Sequence, residues 1–138
     1  MKLALCTLLG LGAIILAGCG STVPTEDFSV QATNPAQVVE ETDGAQYVYL
    51  TEGPAYFAED SIRVKAGKVI FYVANEADHD VSLVVVPAGE RSADKALFRV
   101  NVPRGGTVTH EVQLEAGAYE YCSPVNQTEW YPLEVIGQ

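Results

Sequence analysis

Positive charge is scarce in this sequence: 8 Lys and Arg stand against 18 Asp and Glu, a formal net charge of −10. A surface of that sign lacks the basic patch through which proteins neutralise nucleic-acid phosphates or anionic headgroups, so nucleic acid is not expected as a partner. Histidine is rarer still, with two residues, and the one methionine is Met1. There is no Gly-rich phosphate loop, no Ser-His-Asp arrangement and no acid pair with supporting context, so no enzymatic role is expected. No segment has a convincing helical period, and no internal repeat is found. What is present is 138 residues, 48% hydrophobic and 19% charged, which bounds the chain to one globular domain.

The longest apolar run, Leu3 to Leu16, follows the positive start Met1-Lys2. It is shorter than the roughly 20 residues of a membrane-spanning helix and reads as the apolar core of a secretion signal over residues 1–18. It ends in Leu16-Ala17-Gly18-Cys19, which resembles the lipobox of bacterial lipoproteins. The resemblance implies that Cys19 becomes an acylated, palmitate-bearing N-terminus. The chain would then be anchored at the cell envelope, facing the periplasm or the cell exterior. Two or more acyl chains make such attachment stable where one is marginal. Residues 19–44 hold Ser, Thr, Pro and five acidic residues with little apolar periodicity. They read as a flexible tether, with room for a short helix or extra strand near Gln37 to Glu41. Cys6 is lost with the leader and Cys19 carries lipid, so Cys122 has no partner for an internal disulfide.

Residues 45–138 read as strands throughout. Gln46 to Leu50 is rich in β-formers and breaks at Gly53-Pro54. Tyr56 to Ala58 and Ser61 to Lys65 alternate, with a turn at Ala66-Gly67. Val69 to Ala74 and Val81 to Val86 are nearly continuous apolar runs, as strands buried on both faces would be. Leu97 to Val102, Thr107 to Leu114, Tyr119 to Cys122 and Pro132 to Ile136 complete the set. About seven to eight short strands with turn signals every eight to twelve residues predict an all-β, Greek-key β-sandwich.

Three stretches then carry a resemblance. Ile62-x-Val64-x-Ala66-Gly67-x-Val69-x-Phe71-x-Val73-x-Asn75, His79-Asp80-Val81 and Gly117-x-Tyr119-x-Tyr121-Cys122-Ser123-Pro124 are together similar to the cupredoxins, plastocyanin-like blue-copper proteins. What the resemblance implies is a copper electron carrier with two imidazoles, one thiolate and a weak axial thioether. By position His79 matches the first imidazole and Cys122 the thiolate. The second imidazole belongs three residues after the thiolate, where Val125 stands, and no His follows Cys122. The axial methionine is also missing, with Gln127 and Glu129 as the nearest replacements. His110 lies mid-strand on the face of Val108 and Val112, away from the loop end.

Two readings follow. In the preferred one the copper site is degenerate, no cofactor is resident, and the domain is a binding or assembly module for an envelope protein partner. In the alternative, His79 and Cys122, with Glu129 as a weak third ligand, hold copper for electron transfer or Cu(I) carriage, because thiolate and imidazole suit that soft ion. Each residue also has a structural reading: His79 bonding nearby backbone, Cys122 packing as a small apolar group, Asp78 and Asp80 as exposed loop carboxylates, and Trp130-Tyr131 capping the apolar end of the sandwich.

Overall fold

The computed structural model describes residues 34–126 and 128–138. The leader, Cys19, the tether up to Thr33, and Gln127 lie outside the described residues. The described residues form nine strands: β1 (Gln37–Glu40), β2 (Gln46–Glu52), β3 (Ile62–Lys65), β4 (Gly67–Asn75), β5 (Val81–Pro87), β6 (Phe98–Val102), β7 (Thr107–Leu114), β8 (Gly117–Cys122) and β9 (Tyr131–Ile136). They make a four-stranded sheet in the order β1-β2-β4-β7 and a five-stranded sheet in the order β3-β9-β8-β5-β6. The all-β sandwich read from the alternation is the fold observed. The added strand, β1, falls within the stretch that reads as tether and pairs antiparallel with β2.

Alternation explains the core. Val48 and Leu50 of β2 and Phe71 and Val73 of β4 point inward and meet Leu83, Val85, Tyr121 and Leu133 from the other sheet. Burying such side chains is worth roughly 1.5–3 kcal/mol each, which offsets the entropy of ordering the strands. Gly67, at φ 130, carries the chain from β3 in one sheet to β4 in the other through a backbone region that side chains resist.

The two apolar runs behave differently. β5 is buried on both faces as expected, because Val84 and Val86 on its outer side are covered by Ala96 and Trp130. β4 is not: Lys68 and Tyr72 on its outer side are exposed and Ile70 is half-buried, so this sheet has one open face. The segment Tyr56 to Ala58 forms a single bridge, Phe57 to Glu52, rather than a strand.

Candidate functional site

At one end of the sandwich the inward alternation runs on into polar residues. After Val48 and Leu50 the next inward position of β2 is Glu52, and after Phe71 and Val73 that of β4 is Asn75. These two are register partners and both are buried. Asn75 Nδ2 donates to the carbonyls of His79 (2.8 Å) and Val102 (3.1 Å), and its Oδ1 accepts from the Ala77 N–H (2.8 Å). Those bonds hold the β4–β5 loop that presents His79. Asp80 fastens the far side of that loop by accepting from the Arg104 N–H at 2.9 Å. The loop after β8 is closed on itself: the Ser123 N–H donates to Thr128 Oγ1 at 2.7 Å, and the Thr128 N–H donates to the Ser123 carbonyl at 3.2 Å.

Asn126 of that loop joins the other two elements. Its Nδ2 donates to Glu52 Oε1 and to the Gly53 carbonyl, both at 3.0 Å. Two acceptors on that side fix the orientation of the amide, so Oδ1 faces His79 Nε2, 2.5 Å away. An amide oxygen only accepts, and Nε2 must therefore carry a proton. The other ring nitrogen, Nδ1, lies 2.7 Å from Asp78 Oδ1, another acceptor. Imidazolium is the one form of the ring that donates to both. Asp78 and Asn126 accordingly raise the His79 pKa, with help from the negative charge of Glu52.

Glu52 is fully buried, and its side chain has one well-formed bond where a carboxylate wants several. Among the described residues its Oε2 and the equally buried Ser123 Oγ lack partners of good geometry, although the hydroxyl is close enough to oppose the loss of solvation. Burial wins, and the Glu52 carboxyl is pushed up to about 7.

By sequence the chain matches no protein-family model and no curated protein. By structure it is similar to auracyanin A, a "blue" copper protein from the green thermophilic photosynthetic bacterium Chloroflexus aurantiacus, with a TM-score of 0.56 and 17% identity over 67% of this chain and 99% of that one. It is similar also to auracyanin B (TM-score 0.55, 20% identity, 75% and 97% of the two chains) and to reduced rusticyanin (0.52, 13%, 72% and 89%). The fold is that of the cupredoxins. At these identities the likeness carries the architecture alone, so the ligand positions of a cupredoxin have to be tested residue by residue.

His79 stands at the loop end where a cupredoxin imidazole belongs, but both its nitrogens are engaged, and a metal needs one unprotonated. Cys122 packs with Val84, Val86 and Trp130 on the outer face of the five-stranded sheet, while its neighbour Tyr121 lies in the core between the sheets. Burial, with a smaller push from Glu52, raises the Cys122 thiol to about 11, away from the thiolate that binds copper. Val125 is 49% exposed and lines a shallow surface hollow with Asp80 and Pro103. Glu129 is exposed, and Gln127 is outside the described residues. His110 stacks on Phe98 with ring centroids 4.8 Å apart. Among the described residues no three His, Cys, Asp or Glu side chains converge as a metal would require. The residues present do not fit a type 1 copper ion. Sequence reasoning missed Glu52, Ser123 and Asn126, although extending the alternation of β2 and β8 by one step marks the first two as inward-facing.

Proposed function

We propose that this chain is a lipid-anchored envelope protein whose cupredoxin-fold domain lacks a complete type 1 copper site and serves as a binding or assembly module. The observation that carries the reading is that the two groups matching copper ligands do not meet: Cys122 packs on the outer face of the five-stranded sheet, while His79 stands at the loop end with its ring nitrogens 2.7 and 2.5 Å from oxygen atoms of Asp78 and Asn126. A ring engaged in that way supports the architecture of a loop end and has to give up a contact and a proton before it can bind copper. The outward Cys122 thiol supports the same reading. Lipidation at Cys19 supplies the membrane attachment, and the acidic surface favours a partner of positive charge.

The test is a copper titration of the detergent-solubilised chain in both redox states. No visible thiolate-to-copper band and no stoichiometric Cu(I) against a competing chelator are the expected results, and a copper-loaded, redox-cycling protein overturns the proposal. The anchor is tested separately by Cys19→Ser, which should move the chain from the membrane fraction to the soluble one.

A further inference from the structure

β8 reads the sequence in one register only. Tyr121 is fully buried between the sheets, against Phe57 at 5.4 Å and Tyr131 at 5.5 Å. Glu120, on the other face, pairs with Arg91 at 2.7 Å. Because side chains alternate, slipping β8 by one residue to turn Cys122 inward would send Tyr121 out and bring Glu120 in. The loss of a buried aromatic and the burial of a charged carboxylate both oppose that slip. The inward residue at the end of β8 is therefore Ser123, buried beside Glu52. Three residues beyond Ser123, the spacing at which the resemblance calls for the second imidazole, is Asn126. That is the residue bonded to His79.

We infer that Ser123 and Asn126, not Cys122 and Val125, occupy the two ligand positions that the loop after β8 supplies. The metal position of this domain is built from His79, Ser123 and Asn126 with the buried Glu52 beneath them. The inference rests on the reading that the unaltered chain lacks a type 1 site, and it says where and how that site differs. Thiolate is replaced by hydroxyl and imidazole by amide, which exchanges soft donors for oxygen and lets the side chains satisfy one another. The Cys-Ser-Pro of the sequence motif is displaced by one residue relative to the face that a metal would see.

The experiment restores donors in each register and titrates Cu(II). Ser123→Cys with Asn126→His, made in a Cys122→Ala background, should take up one Cu(II) per chain and show an intense visible thiolate-to-copper band. Val125→His, which leaves Cys122 and Ser123 in place, should show none. A band from Val125→His, or no band from a folded Ser123→Cys/Asn126→His chain, overturns the assignment. If the multiple variant does not fold, Asn126→His alone decides, because two facing imidazoles chelate Zn(II). It should bind Zn(II) roughly tenfold or more tighter than the unaltered chain. Equal binding by Asn126→His and Val125→His overturns the assignment. The unaltered chain titrated in parallel separates the two claims. A band there sinks the functional reading, and its loss in Cys122→Ala sinks this inference as well.

Discussion

Asn126 Oδ1 lies 2.5 Å from His79 Nε2, and the same amide donates to the buried carboxylate of Glu52 at 3.0 Å. One side chain thus ties the loop after β8 to the end of β2 and to the β4–β5 loop. Asn126→Ala removes three hydrogen bonds and leaves Glu52 Oε1 without a partner. The expected loss is about 2 kcal/mol or more of unfolding free energy, measured by chemical denaturation. The His79 pKa, followed by NMR, should fall in the same variant, because one of the two acceptors that stabilise its charge is gone. An unchanged His79 titration would show that the contact is not formed in solution.

Glu52 makes stability depend on pH with a definite sign. Its folded pKa, about 7, is above the ordinary 4.5, so the folded state holds this proton more tightly than the unfolded state. Below about pH 4.5 both states are protonated and no penalty exists; between there and 7 stability falls as pH rises, and above 7 the penalty is complete. His79, whose pKa is also raised, acts in the same direction, since its contribution is lost as pH rises through its folded pKa. Glu52→Gln keeps an acceptor for Asn126 and offers an amide to Ser123. It should stabilise the chain by roughly 1–3 kcal/mol at pH 8 and flatten the fall across this window. Thermal unfolding at several pH values checks it; a slope unchanged by the substitution would assign the dependence elsewhere.

The Cys122 thiol should be inert in the folded chain. With its pKa raised from 9.0 to about 11, the thiolate fraction near pH 8 drops about a hundredfold, and burial against Val84 and Trp130 slows attack further. Labelling by a thiol reagent should therefore track unfolding, with rapid reaction only in denaturant. Fast labelling of the folded chain would place the thiol at the surface.

Tyr121 anchors β8 by its ring and by its hydroxyl, which donates to the Glu59 carbonyl at 2.8 Å. Tyr121→Phe loses that bond alone and should cost about 1 kcal/mol. Tyr121→Ala also opens a cavity between Phe57 and Tyr131 and should cost about 3–5 kcal/mol. Equal effects of the two would mean that the hydroxyl, not the packing, holds the strand.

Alternation and turn spacing by themselves determined the β-sandwich and its strands from Gln46 to Ile136, apart from Tyr56 to Ala58, which forms only a bridge. Those features follow from period-2 burial and from Gly and Pro breaks, which are local. The tertiary structure decided what no local pattern contains. β1 is a strand because an edge of β2 was open to pair, not because its own sequence alternates strongly. β4 keeps an exposed face, whereas β5, equally apolar, is covered by Trp130 and Ala96, and coverage depends on where distant loops return. Above all, a six-letter match such as Tyr-Glu-Tyr-Cys-Ser-Pro does not say which residue faces inward. Burial of Tyr121 sets that register, and it turns Cys122 out, Ser123 in, and brings Asn126 to His79.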